Sequence, residues 1–285
     1  MRLLNSRLLP AVALLALAAP ARAGFDPQIG QPGSLGIPKD DPSFRGWATS
    51  VVEYRPGPRN VADPSGPLAT GNPQGVLGDV NSPGHGLASL GDGGWITLGF
   101  DRPLTDGDGA DFAVFENGIL SGPSGSPLAY LELAFVEVST DGVHFFRFPA
   151  TSLTQTDTQV GGFGLLDASN LNNLAGKYVA GYGAGFDLSE LAGISPLLDV
   201  NNVNYVRLVD VVGSIDPALG SYDSLDNMIN DPYSTPFNTG GFDLTGVGVI
   251  NQAPAPTAVP EPASLATAVI GLGMLLAAVR ARRRG

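Results

Sequence analysis

The sequence predicts an all-β protein: a jelly-roll-like β-sandwich with a signal peptide in front and a single C-terminal transmembrane helix behind. Three observations carry this. Apolar runs of strand periodicity alternate with turn signals, and the 285 residues include 39 Gly and 24 Pro. Helical periodicity is thin between the ends. Apolar segments with basic residues beside them stand at both ends. Six or more strands of irregular spacing with long connections suit two packed sheets, with a closed barrel as the alternative.

The elements follow in order. Residues 24–94 are loop-rich, with one strand expected over 47–54. Residues 95–100 alternate, placing Ile96, Leu98 and Phe100 on one face. Residues 111–116 are apolar on both faces, as a buried strand requires. A longer strand is expected over 130–139. Asp141-Gly142 then forms a tight turn into 143–148, because Asp-Gly accepts positive φ, so the two strands pair antiparallel. One short helix is expected over 170–177, with Ser169 as N-cap and Gly176 near its end, and a further turn over 188–192. Strands over 205–212 and 242–250 complete the set. No fixed-period repeat appears, which excludes propellers and solenoids. Residues 253–259 form an Ala/Pro linker, leaving 24–252 as the folded domain.

Arg2 and Arg7 precede an apolar stretch at 8–19, and Ala21-Arg22-Ala23 is a small-x-small cleavage site. Residues 1–23 therefore read as a signal peptide, with the mature chain starting at Gly24. At the other end stand Pro260-Glu261-Pro262, then a mainly apolar span of 17 residues at 263–279, then Arg280, Arg282, Arg283 and Arg284. The span sits at the short end of what crosses a bilayer, and the arginines would stay cytoplasmic. The three parts in this order resemble the PEP-CTERM sorting signal of Gram-negative bacteria, which an exosortase reads. The resemblance implies passage through the Sec translocon, a precursor held in the inner membrane, cleavage near the motif, and release to the cell surface or outside the cell. It also implies association with exopolysaccharide.

Composition narrows the chemistry. Removing both ends takes Arg2, Arg7, Arg22 and the four tail arginines, and also Glu261. Eight basic residues then face 26 acidic ones, a net charge of −18. Such a surface repels nucleic acid and anionic headgroups and attracts divalent cations. The absence of cysteine excludes thiol catalysis and thiolate metal sites, and a domain of this length needs no disulfide. His85 and His144 alone leave no histidine set for a zinc site or a triad. No Gly-x-Ser-x-Gly elbow, His-Glu-x-x-His or phosphate loop occurs.

Within the domain, residues 138–145 resemble the Val-Ser-x-Asp-Gly-x-x-Phe hairpin of galactose-binding-like jelly rolls. Residues 111–118, 131–148, 230–233 and 240–244 together resemble a group of secreted bacterial cell-surface proteins without assigned biochemistry. This second resemblance covers most of 45–251 and implies location and fold more than activity.

Two acidic loops are candidate sites. In the first, Asp106, Asp108 and Asp111 alternate with glycines, the spacing a hard oxygen-seeking cation such as calcium needs, with Glu116 following. The EF-hand pattern fails, since its twelfth position is Asn117, so a distant ligand would have to close the site. The plain alternative is a solvated Asp-Gly turn. In the second, Tyr222, Asp226, Asn230, Asp231 and Tyr233 join planar hydrogen-bonding groups to aromatic faces, the combination used for sugars. The plain alternative is a surface loop rich in turn formers. Asp210 sits in an apolar strand. It either faces inward toward a metal or loop backbone, or outward to water, with Arg207 on the opposite face. Glu132 and Glu137, five apart on one strand, face opposite sides and do not make a glycosidase pair. Trp47 and Trp95 read as core anchors. The favoured function is a non-catalytic surface or matrix protein binding glycan with calcium. The alternatives are a purely structural acidic protein and a polysaccharide hydrolase with paired carboxylates.

Overall fold

The computed structural model describes residues 24–121 and 125–255. The expected signal peptide, Pro260-Glu261-Pro262, the expected membrane span and Arg280, Arg282, Arg283 and Arg284 lie outside these residues. Among the described residues no helix is long and apolar enough to cross a membrane.

The chain is all-β, and its sheets are antiparallel, consistent with a β-sandwich. In chain order the strands are β1 (Ile37–Pro38), β2 (Gly46–Trp47), β3 (Ser50–Arg55), β4 (Ala88–Ser89), β5 (Trp95–Leu104), β6 (Phe112–Glu116), β7 (Ile119–Leu120) and β8 (Leu128–Tyr130). Then come β9 (Ala134–Ser139), β10 (Phe146–Arg147), β11 (Thr151–Ser152), β12 (Leu166–Asp167), β13 (Leu171–Asn172), β14 (Tyr182–Phe186), β15 (Val203–Asp210) and β16 (Asp243–Val249). One sheet runs β1-β14-β6-β16-β2, with β4 also paired to β16. The other runs β10-β9-β15-β5-β3. Two small sheets, β11-β13 and β12-β8-β7, lie apart from them.

Strand periodicity explains the core. Alternate residues of each strand share a face. Phe112 and Val114 of β6, Phe186 of β14, and Val247 and Val249 of β16 meet Ile96 and Leu98 of β5, Val136 and Val138 of β9, and Val206 and Leu208 of β15 in one buried cluster. Phe112 stacks on Phe186 at 5.4 Å between centroids, and Phe148 meets both edge-on. Each such ring contributes about 1.5–3 kcal/mol by burial. A second cluster of Leu131, Leu133, Leu166, Leu171, Leu174 and Ile229 joins the small sheets to the loops around them. Trp47, half-buried, packs with Phe44 and Phe115, on the side of β6 opposite Phe112 and Val114.

Several local expectations are corrected. Residues 47–54 do not form one strand. The chain leaves β2 in one sheet and enters β3 in the other, with Ala48 bonded to Val247 and Thr49 to Gly99. The expected helix over 170–177 is absent. A 3₁₀ turn at Ala168–Asn170, capped by Asp167 rather than Ser169, runs into β13. Asn172 and Asn173 are weak helix formers, Asn173 has φ 50°, and burial of Leu171 and Leu174 wins. β9 and β10 pair as expected, Val138 opposite Phe146, but the turn is longer than Asp141-Gly142. Asp141 accepts from the amides of Val143 and His144 and organises a wider loop. β14, reading Tyr-Gly-Ala-Gly-Phe, had no clear strand signature.

Candidate functional site

One end of the two main sheets carries carboxylates where the core pattern calls for apolar residues. Along β9 the inward residues are Ala134, Val136 and Val138, and Glu132 stands buried two residues before the strand begins. On β15, Val206 and Leu208 lead to Asp210, and on β6, Phe112 and Val114 lead to Glu116. Antiparallel register brings these ends together. Asp210 lies opposite Ala134, Leu244 opposite Glu116, and Asp243 opposite Ser89. Asp92, just before β5, and Asp231, from the loop ahead of β16, complete the group. All six are at most 6% exposed. Among the described residues none of the six is in an ion pair.

Hydrogen bonds satisfy part of this group. Asp210 accepts from the amides of Gly93 (3.0 Å) and Phe242 (2.7 Å), so it faces inward to loop backbone. Asp231 accepts from the Leu133 amide at 3.1 Å, and Asp92 from the Val61 amide at 2.7 Å. Asp243 accepts from the Ser89 hydroxyl. Glu116 Oε2 and Glu132 Oε1 are buried with no hydrogen-bond partner. Burial pushes Glu132 up to about 9, aided by the charge on Asp243. Burial alone lifts Asp92 and Asp243 to about 6 against the Val61 amide and the Ser89 hydroxyl. Glu116, Asp210 and Asp231 are driven well above the carboxylate range by burial first, with Glu132 the main charge on Glu116 and Asp210 the main charge on Asp231.

Glu132 and Asp243 also line an open cleft of about 500 Å³. Its other lining residues include Tyr130, Phe163 and Phe237. The Phe163 ring lies 5.0 Å from Phe237 and 6.4 Å from Tyr130. Phe163 is 76% exposed, an unusual position for a phenyl group with two aromatic neighbours. Exposed aromatic surface beside oxygen acceptors at the base of a cleft is chemistry that a polyol or sugar site uses.

The loop residues expected from sequence are divided by the structure. Asp106 and Asp111 come together with Asp187, their oxygens within 4.8 Å of one another, the only such carboxylate trio among the described residues. Asp108 is exposed and outside this group, and Glu116 sits at the far end of β6 from Asp111. Asp111 already accepts from Gly107, Asn251 and the Leu188 amide. Tyr222 and Asp226 share a separate shallow cleft. Asn230 is fully buried: its carbonyl accepts from Gln159 and the Val160 amide, and its amide group donates to the carbonyls of Gln155 and Thr158. Asp231 belongs to the buried carboxylate group, and the Tyr233 hydroxyl donates to Asn60. These five do not form one ligand site. Trp95 is half-buried and donates to Glu53, and Glu132 and Glu137 do face opposite sides, with Glu137 held by Arg147.

A scan against protein-family models matches none, and comparison with curated proteins finds no similar one.

The cleft was missed because its residues are spread over four segments. A usable signal existed. Each of Glu116, Glu132, Asp210 and Asp243 stands at or just beyond one end of an apolar strand.

Proposed function

We propose that this is an exported, non-catalytic surface or matrix protein whose sandwich, jelly-roll-like in the alternation of successive strands between its sheets, binds glycan in the cleft of Tyr130, Phe163 and Phe237. In this reading the Sec translocon exports the chain, its C-terminal span holds the precursor in the inner membrane, and an exosortase acts at Pro260-Glu261-Pro262. The mature protein then associates with exopolysaccharide at the cell surface or outside the cell. The observation that carries the binding role is exposed Phe163 and Phe237, with half-buried Tyr130, in the cleft that Glu132 and Asp243 also line. Rings stack on the apolar faces of pyranoses while carboxylates accept from their hydroxyls. Calcium enters at the Asp106, Asp111 and Asp187 trio, which fits a structural ion in the loop.

The test is binding of the full-length chain in mild detergent to a polysaccharide array, with Phe163→Ala, Phe237→Ala and Tyr222→Ala beside it. The first two should lose about tenfold or more in affinity, at about 1–3 kcal/mol per stacked ring, while Tyr222→Ala binds as the parent does. A blank array, or equal binding by all variants, overturns the reading.

A second reading has its own observation. Glu132 and Asp243 line the same cleft, and Glu132 retains its proton to about 9 while Asp243 gives its up near 6, the division expected of a general acid and a base or nucleophile. Release of reducing ends from any polysaccharide on the array, lost in Glu132→Gln, would favour this hydrolase reading over the binding one.

A further inference from the structure

We infer that the cleft of Tyr130, Phe163 and Phe237 takes a cationic glycan: a polymer of amino sugars whose amines are free rather than acetylated. This rests on the glycan reading above and names the class of sugar.

Two independent observations lead here. The first is the charge behind the cleft. Glu132 and Asp243 line it and are each 6% exposed. Among the described residues no lysine or arginine pairs with either of them, nor with Asp92, Glu116, Asp210 or Asp231, which stand buried at the same end of the fold. The Tyr130 hydroxyl and the Gly241 amide bond Glu132, and the Ser89 hydroxyl donates to Asp243. These donors bring no countercharge, and Glu132 Oε1 is left buried without a partner. A buried charge must be paired or lose its ionisation. Burial first, then the charges on Asp243 and Asp210, hold the proton on Glu132. A cation arriving in the cleft relieves that repulsion. A neutral hydroxyl does not, and the carboxylate of an acidic sugar adds to it.

The second is the aromatic surface. Phe163 is 76% exposed, and its ring lies 5.0 Å from Phe237 and 6.4 Å from Tyr130. The face of an aromatic ring attracts an ammonium group, more strongly where water is partly displaced. The same rings pack against the apolar side of a pyranose. An amino sugar uses both properties at once, with its ring on the aromatic surface and its ammonium toward the carboxylates. Ser121 and Thr239, also in the lining, offer hydroxyls to the rest of the sugar.

The geometry suits an ammonium better than a metal ion. Among the described residues the only acidic trio close enough for a metal is Asp106, Asp111 and Asp187, which leaves Glu132 and Asp243 outside it. An ammonium needs acceptors for its three donors and no closed coordination shell. Acetylation removes its positive charge and leaves the carboxylates unmatched. The net charge of −18 on the chain without its two ends draws a polycation in from a distance. Selection between sugars then falls to the cleft.

The experiment uses the full-length chain in mild detergent at about pH 6.5, above the value of about 6 at which Asp243 gives up its proton. Tetramers of glucosamine, N-acetylglucosamine and glucose are titrated by calorimetry. Phe163→Ala, Glu132→Gln and Asp243→Asn are run beside the parent, with Tyr222→Ala as control. The glucosamine tetramer should bind the parent at least about tenfold more tightly than the other two, the worth of one charged hydrogen bond. Glu132→Gln and Asp243→Asn should lose most of that preference. Phe163→Ala should weaken glucosamine binding about tenfold, and Tyr222→Ala should match the parent. The comparison of tetramers on the parent needs no variant to fold. Equal or tighter binding of a neutral tetramer, lost in Phe163→Ala, overturns the cationic preference and leaves the glycan reading standing. Glucosamine binding unchanged in Phe163→Ala, Glu132→Gln and Asp243→Asn assigns it to the acidic surface at large and also overturns the inference. Failure of every tetramer to bind, together with a blank array, sinks both.

Discussion

At the scale of single residues, Gly241 shows how tightly the carboxylate end is built. Its φ is 73°, and a Cβ there would stand 2.7 Å from Asp210 Oδ1 and 2.9 Å from the Gly91 amide nitrogen. The adjacent Phe242 amide is one of the two that hold Asp210. Gly241→Ala combines a disfavoured backbone with a contact that must push Asp210 off its donors. A loss of about 2–4 kcal/mol in urea unfolding is expected, and a change below about 0.5 kcal/mol would show that the turn relaxes freely. Asp210 itself shows how far one residue can be read from sequence. Strand parity placed Arg207 and Asp210 on opposite faces, and they are: Arg207 lies over the Phe145 ring while Asp210 turns inward. Parity could not say which face was the core, because Asp210 occupies an apolar position and breaks the rule that would have told.

At the scale of elements, strands with strong alternation were legible and irregular ones were not. β5, β6, β15 and β16 lie where their periodicity put them, within a few residues. β14 was lost because Gly183 and Gly185 remove the side chains that would announce it. Those glycines are there for packing, since a Cβ on Gly183 would meet Ala113 and Phe115 at 3.0 Å. The acidic loop at Asp106 was legible as a cluster, but its third member, Asp187, comes from a segment 76 residues beyond Asp111 and carried no local mark. The cleft was illegible for the same reason. Long-range register, not spacing, assembles Glu132 with Asp243. Another long-range tie fixes the first described segment. Lys177, 5% exposed at its side chain, bonds Asp26 at 2.5 Å, and Gln28 is buried against Lys177 and Val179. Burial lowers the lysine's pKa while Asp26 raises it. Asp26→Ala leaves that ammonium buried alone and should cost about 3 kcal/mol, whereas Asp26→Ala with Lys177→Met should recover most of it. Equal losses in the single and double variants would count against a buried pair.

At the scale of the whole molecule, burying so many carboxylates sets how stability responds to pH. In chelator, a carboxyl whose pKa is raised by folding stabilises fully below its unfolded value near 4, and that contribution is lost as pH rises through its folded value. The folded values are about 6 for Asp92 and Asp243 and about 9 for Glu132. Glu116, Asp210, Asp231 and the Tyr130 phenol face the same region and shift upward as well. Tm should therefore fall steadily from about pH 5 to about pH 9. A flat or rising profile over that interval would mean that something else neutralises the group.

The position of β16 has a consequence for how the chain is made. It is the last strand in the described order, yet it lies inside its sheet, paired with β6, β2 and β4 at once. A chain emerging from its N-terminus has already delivered the partners of this strand but not the strand itself. Until residue 249 is out, β6 has one open edge, and β2 and β4 have nothing to pair with in that sheet. Vectorial synthesis then ends with insertion of a central slat rather than addition of an outer one, so closure of the fold is a late and single event.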